Sequence, residues 1–483
     1  MREEECAHPQ GVQPWGNYLL SGKKHIRSTG LGSLRDLDDQ LLLQILQLVD
    51  AKTLTLCSAA SRALYCFCMH DELWRALTLQ EREGSFCYRG SWRETYLTST
   101  GLAAADQQRF TSLRVENFFS DLLYQPWFCA TVPLSPEWLE RDTLERHSNL
   151  SAEEFRRLFE VPNKPVVITD QAKSWPARKK WTRAYLRKAF KGQAIFAGNY
   201  SMSFEDYLSY TDASCDDMPL YLFDCKFAQK APQLAADYKV PEQFPEDLFS
   251  VLGESGRPDY RWLIMGPERS GSSFHKDPNA TSAWNAVVKG SKKWVLFPPH
   301  VMPPGVHASA DGAEVATSVS LVEWFLNFYA AAQEGDVKPV EGIVQAGEVL
   351  FVPRGWWHLA INLEESIAVT QNFVSSVGLK QCLAFLQTGN PDLVSGCLQH
   401  ERSDLHQRFL SALQKQHPEV YNAASKSVCQ AQRSNGLSSL FGNAAGAGQK
   451  RALAGESSDD CFSKRHKGAA EENSGFRFGF CST

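Results

Sequence analysis

The sequence lacks three things, and each lack closes off a class of function. It has no Cys-x-x-Cys: its 13 cysteines are scattered, which speaks against a zinc framework built on cysteine and against a disulfide scaffold. No apolar run approaches the ~20 residues of a membrane span, and the opening MREEECAHPQ has no apolar signal core. It has no strong excess of one charge. The formal net charge is −5, so no global basic field points to nucleic acid. What is there fits a soluble globular protein: 483 residues, 43% hydrophobic and 22% charged, enough for two or three domains. The expected setting is reducing and intracellular, with no membrane partner. The Asn-x-Ser/Thr triplets at Asn149, Asn199 and Asn279 are therefore expected to carry no glycan.

The chemistry concentrates in residues 271–300, GSSFHKDPNATSAWNAVVKGSKKWVLFPPH. His275 and Asp277 stand at i and i+2, a spacing that points both side chains to one face of a strand. An imidazole beside a carboxylate lacks only a third ligand to hold a metal. His358 is the candidate, closing the apolar run of GEVLFVPRGWWH after Gly347. Two histidines and one carboxylate with the remaining positions open form the facial set of non-haem Fe(II) oxygenases. A cupin-like barrel holding zinc without redox chemistry is the alternative. Lys292 opens the next strand-like run, KKWVLFPP. A lysine facing a barrel interior needs an anionic partner. The distal carboxylate of 2-oxoglutarate is one, whereas zinc chemistry has no use for that lysine.

The phrases KPVVITD, PLYLFD, YRWLIMGPERSG, HKDPNATSAWNAVVKGSKKWVLFPP, GEVLFVPRGWWH and IAVTQNF carry a resemblance. From about residue 151 to residue 373 the chain resembles the jumonji C (JmjC) 2-oxoglutarate oxygenases. It is most similar to their arginine demethylase and lysyl hydroxylase branch, the phosphatidylserine-receptor-like proteins. The resemblance implies an α+β chain whose residues 141–378 form a double-stranded β-helix, the jelly-roll of cupin-like domains. It implies His275, Asp277 and His358 as iron ligands and catalytic set. It implies Ser272, Asn285, Lys292 and Thr370 as 2-oxoglutarate contacts. Ser272 stands where the family carries threonine, and the hydroxyl is retained. Fe(II), 2-oxoglutarate and molecular oxygen are the implied cofactor and co-substrates. Tyr221 resembles an aromatic that borders the family's active site; as a bare tyrosine it reads equally as core. Phe274, Trp284, Trp356 and Trp357 are either pocket walls suited to cationic side chains or barrel core.

Around this domain the chain reads in order. Residues 1–30 are Gly-rich and polar, and are expected to be flexible. Residues 31–80 form a helical module with apolar residues at helical spacing: Leu42, Ile45, Leu46, Val49, then Leu56, Ala60, Leu64. Asp50 and Asp71 stand at plausible helix starts. With Ser61-Arg62 and the closing Leu73-Trp74, this module is similar to an F-box, although Asp36-Leu37 replaces the usual early proline. The similarity implies docking to a Skp-type adaptor of an SCF-type ubiquitin ligase; the bland alternative is a small bundle packed on the oxygenase domain. Residues 81–140 connect, with aromatics expected to pack. Ser151 and Glu154 read as a capping box, and VVIT as a buried strand. Residues 177–191 hold seven basic residues and no acidic one, which predicts one amphipathic helix with Trp181, Tyr185 and Leu186 inward and a solvated or acid-binding face outward. Residues 301–340 read as an insertion of loop and helix. Residues 379–433 read as helices, with Leu405, Phe409, Leu410 and Leu413 turned either to the chain itself or to a second copy. Residues 434–483 read as a disordered tail. Its basic groups at 450–451 and 464–467 have bipartite nuclear-signal spacing.

The resulting expectation is a dioxygenase acting on protein side chains, by arginine demethylation, lysyl hydroxylation or both. Histones or splicing factors are the expected substrates, and the nucleus, with the cytoplasm second, the expected location. The competing reading is a ligase substrate receptor whose barrel only binds.

Overall fold

The computed structural model describes residues 7–101, 112–309, 312–387 and 390–424. The expected disordered tail and its basic groups lie outside the described residues. Among the described residues, no helix is long and apolar enough to cross a membrane.

The N-terminal part is helical: α1 (Trp15–Ser21), α2 (Arg27–Gly30), α3 (Asp39–Gln47), α4 (Ala51–Ala60), α5 (Arg62–Cys68), α6 (Asp71–Arg82) and α7 (Trp92–Ser99). The starts are written in the sequence. Asp38 accepts from Leu41 N at 2.7 Å, Asp50 from Thr53 N at 2.7 Å, and Ser61 from Leu64 N at 3.1 Å, each satisfying an otherwise orphaned amide. Asp71 is the first residue of α6, a helix start as expected, but its carboxylate accepts from Trp92 N and Arg93 N and so tethers the start of α7 rather than capping its own helix. The expected flexible N-terminus is also corrected from residue 7 onward. Gln13 pairs with the backbone of Phe118 and Ser120, His25 Nε2 lies 2.8 Å from Phe119 O, and Val12 and Leu31 are buried. The aromatics of the connecting segment pack as expected: Phe118 against Phe67 of α5, and Trp92 against Tyr210 of the following domain.

Fifteen strands follow among the described residues: β1 (Arg146–His147), β2 (Val166–Ile168), β3 (Ala194–Ala197), β4 (Tyr200–Ser203), β5 (Leu222–Asp224), β6 (Arg261–Gly266), β7 (Gly271–His275), β8 (Ser282–Lys289), β9 (Ser291–Phe297), β10 (His307–Ala308), β11 (Val315–Ala316), β12 (Val340–Gln345), β13 (Val349–Val352), β14 (Trp357–Asn362) and β15 (Ser366–Phe373). They form a nine-stranded sheet, β1-β2-β13-β8-β15-β6-β5-β3-β4, and a four-stranded sheet, β12-β9-β14-β7, with β10-β11 as a separate hairpin. The result is a two-sheet sandwich. Ala283 and Val287 of β8 meet Trp294 and Leu296 of β9 and Ala360 of β14 in the space between the sheets. The opposite faces are covered too: Trp284 of β8 lies against helices, and Phe274 and Trp357 against the inserted helix Leu321–Asn327. Both faces of the central strands are buried, which is why they read as unbroken apolar runs.

The basic stretch departs from its expected single helix. It forms two, Pro176–Lys180 and Arg183–Ala189, and Trp181 between them is fully buried. Three of its seven basic residues form ion pairs within the chain: Lys180 with Asp237, Arg183 with Asp212 and Glu365, and Arg187 with Glu205. At the C-terminal side, Leu405, Phe409 and Leu413 pack on Phe249 and on the helix Leu379–Leu386 of the same chain.

Candidate metal centre

β7 and β14 run antiparallel with His275 and His358 directly opposite, their ring centroids 4.1 Å apart. Asp277 follows the end of β7 in extended backbone. One ligand atom from each of these three residues lies within 4.8 Å of the other two. That is near enough for one ion, about 2.1 Å from each donor, to be shared after a small inward closing. Both Nδ1 atoms face backbone carbonyls, His275 towards Ser273 O at 2.8 Å and His358 towards Trp356 O at 3.1 Å. Each Nδ1 therefore carries the proton, and each Nε2 keeps its lone pair for a ligand. Burial lowers the pKa of His275 to about 3 and of His358 to about 4, so both imidazoles are neutral at physiological pH. Burial pushes Asp277 up to about 6, against the pull of His275 and a hydrogen bond from Asn372. Its Oδ2 is buried without a hydrogen-bond partner. An orphaned carboxylate oxygen beside two oriented lone pairs fits a divalent cation, and an N2O donor set fits Fe(II).

Lys292 lies in the same intersheet space, on β9 opposite Asn362 of β14. It is 1% exposed. Its ammonium donates to Tyr221 Oη at 2.8 Å and to Asn362 Oδ1 at 2.6 Å, and no carboxylate pairs with it among the described residues. Burial alone lowers its pKa to about 7. An ammonium has three N–H donors, and two are used, so the pocket is a fit for a small dicarboxylate. Asn285 and Thr370 stand opposite each other on β8 and β15. The Thr370 hydroxyl donates to Trp284 O at 3.0 Å, while Asn285 Oδ1 is buried without a partner. Ser272 is three residues from His275, which on a regular strand would put it on the opposite face. β7 carries an irregularity there: Ser272 pairs with Ala360 while His275 pairs with His358. The extra residue resets the alternation and returns Ser272 to the face of His275. The three metal-ligand candidates thus come together, and Ser272, Asn285, Lys292 and Thr370 face the same space between the two sheets.

The aromatic expectations divide. Phe274, Trp284 and Trp357 each stand next to an inward residue and so point outward, into core. Trp356 lies within the sandwich core, its indole donating to Asn163 O. Phe274, Trp284 and Trp357 therefore do not line the pocket. Tyr221 does, together with Trp294, whose ring lies 6.0 Å from that of His358. Sequence reasoning missed Asn362 and Asn372. The only signal for Asn362 was its even spacing from His358, which puts both on one strand face.

Comparison with known proteins agrees with this geometry. Residues 188–378 match the family of cupin-like domains. Over 432 residues the chain is 48% identical to the arginine-specific demethylase JMJ22 of Arabidopsis thaliana, covering 88% of this chain and 84% of that protein. It is 38% identical over 271 residues to the bifunctional arginine demethylase and lysyl-hydroxylase psr-1 of Caenorhabditis elegans, covering 52% and 66%. It is 28% identical over 277 residues to the 2-oxoglutarate and iron-dependent oxygenase JMJD4 of Danio rerio, covering 52% and 63%. With the first of these aligned across most of both chains, the protein belongs to the JmjC family of cupin-like oxygenases.

Proposed function

We propose that this protein is an Fe(II)- and 2-oxoglutarate-dependent dioxygenase that modifies basic side chains of proteins, by arginine demethylation, lysyl hydroxylation or both. His275, Asp277 and His358 hold the iron. Lys292 takes the distal carboxylate of 2-oxoglutarate, a charge-assisted contact that fixes its pose. Asn285, Thr370 and Ser272 supply neutral hydrogen bonds to the same molecule. Bound iron, with 2-oxoglutarate and oxygen, supplies oxidation of a nearby carbon–hydrogen bond. The chain's task is to choose that carbon and to keep the pocket dry. A lysine methylene facing the iron leads to hydroxylation. An N-methyl group there leads to loss of formaldehyde and hence demethylation. The observation that carries the reading is Lys292: a buried ammonium without a carboxylate partner, in the same intersheet space as three oriented donors. A zinc barrel has no use for it.

Purified protein supplied with Fe(II) is expected to convert 2-oxoglutarate to succinate, and Asp277→Ala to lose this. Equal turnover by the variant removes Asp277 from the ligand set. Mass spectrometry of histone-tail peptides then separates a gain of about 16 Da from a loss of about 14 Da, hydroxylation from demethylation.

A second reading concerns the N-terminal helices. Leu41, Ile45, Leu48 and Leu56 are exposed, Leu48 by 79% and Leu56 by 64%, whereas Leu42 and Leu46 are core. Apolar side chains left in solvent on α3, at its C-cap Leu48 and on α4 support an F-box docking to a Skp-type adaptor. Changing Leu41, Ile45, Leu48 and Leu56 to Asp is expected to abolish adaptor capture without unfolding the chain. Undiminished capture excludes this surface. The nuclear address of the tail is a further proposal, tested by the location of a fluorescent fusion with and without residues 450–467.

A further inference from the structure

A cavity outside the donor cluster meets the edge of the site at Tyr221, Trp262 and Ser272; His275, Asp277, His358 and Lys292 do not line it. It is one continuous space of about 1320 Å³, and N-terminal helices build one of its walls. A small-molecule site needs about 300–1000 Å³, so this space beside the donor cluster has room for a peptide. On α3 the lining residues are Gln40, Leu43, Gln44 and Gln47. These stand at i, i+3, i+4 and i+7, one face of the helix. The exposed Leu41, Ile45 and Leu48 are each turned by one position from that face. The helical module therefore presents one face to the cavity and another to solvent.

The wall also has a charge. Where α6 meets the segment before β5, Glu72, Asp216 and Asp217 surround a single guanidinium, Arg75. Arg75 contacts Glu72 at 3.4 Å and Asp216 at 4.0 Å. Asp216 also accepts from Trp92 Nε1 at 3.0 Å and Tyr210 Oη at 2.7 Å. Asp217 forms no ion pair among the described residues. Burial pushes its carboxyl up to about 7, and a cation brought against it would offset that desolvation. Asp217 precedes Tyr221 by four residues, so their Cα atoms are at most about 14 Å apart. An extended peptide covers this in about four residues.

We propose that this cleft, which meets the site at Tyr221 and Ser272, is the channel for the substrate chain, and that Asp217, on the wall shared with the N-terminal helices, binds a second basic side chain of the substrate, within about four residues of the one that passes Tyr221. The N-terminal module then selects substrate as well as carrying any adaptor. The proposal rests on the oxygenase reading for the identity of the modified residue, but its test does not need turnover. Fluorescence anisotropy compares two labelled synthetic peptides with a central arginine, one flanked by arginines about three residues away and one by glutamates. The protein is expected to prefer the arginine-flanked peptide. Asp217→Asn is expected to weaken that peptide about tenfold or more, with the melting temperature and peptide-free 2-oxoglutarate turnover unchanged. Asp217→Lys is expected to invert the preference. Equal affinity of the unmodified protein for both peptides, or affinities that both variants leave within about twofold, overturn the proposal. Absence of peptide-free turnover in the same samples counts against the oxygenase reading instead, while anisotropy still decides the channel.

Discussion

Lys292 and Lys293 are sequence neighbours with different partners. Both are buried on β9, and alternation sends them to opposite faces. Lys293 finds Glu341 of β12 at 2.8 Å, joined there by Tyr329 and Gln333. Lys292 finds only Tyr221 and Asn362. One lysine is a closed ion pair and the other waits for an anion. Removing the waiting charge, as in Lys292→Ala, is expected to raise the KM for 2-oxoglutarate by roughly 10- to 100-fold, the worth of a charge-assisted hydrogen bond. The same substitution should leave metal affinity unchanged. The pH dependence has a definite sign. In the empty pocket Lys292 is held at about 7, and a bound carboxylate raises it. Binding therefore takes up a proton above about pH 7, and the Kd for 2-oxoglutarate should climb there towards tenfold per pH unit, flattening below. A Kd independent of pH from about 6.5 to 9 on calorimetry would rule out this ammonium as the anchor.

At the level of elements, the pair β7–β14 sets the metal geometry. Gly271 begins β7, and a Cβ there would lie 2.0 Å from Ala360 O and 2.9 Å from Leu321 Cδ1. Backbone cannot yield that distance cheaply, so Gly271→Ala must push the two strands apart. The donors His275 and His358 sit on those strands. The expected result is weakened binding of Co(II), read by its visible spectrum, along with a fall in melting temperature. Unchanged metal affinity would show that the strand spacing is not set at Gly271. The cap at Asp50 and the Ser151–Glu154 box were legible locally, because a cap involves residues only three apart. The break after Lys180 was not. Trp181 turns into the core, where its indole bonds Asp237, and that demand lies 56 residues away.

For the whole molecule, the C-terminal helices belong to the fold. Phe409 is fully buried, its ring 4.5 Å from that of Phe249, in a cluster that also holds Leu405 and Leu413. Phe409→Ala is expected to cost about 3–5 kcal/mol, visible as a lowered denaturation midpoint with intact secondary structure in the cold. These residues are engaged within the chain, so they are not the apolar face that a second copy would cover. The N-terminal helices are likewise tied in: Trp92 of α7 bonds Asp216, in the segment before β5.

The sequence by itself determined the three metal-ligand candidates, the lysine, the caps and the α-then-β order of the chain. Each depends on residue type and short spacing, which any stretch of chain carries with it. Tertiary structure decided which buried lysine lacks a counter-charge, that a bulge turns Ser272 back towards His275, and that Phe274, Trp284 and Trp357 face away from the site. Those outcomes depend on strand register and on partners far along the chain, where a shift of one residue exchanges the inner face for the outer.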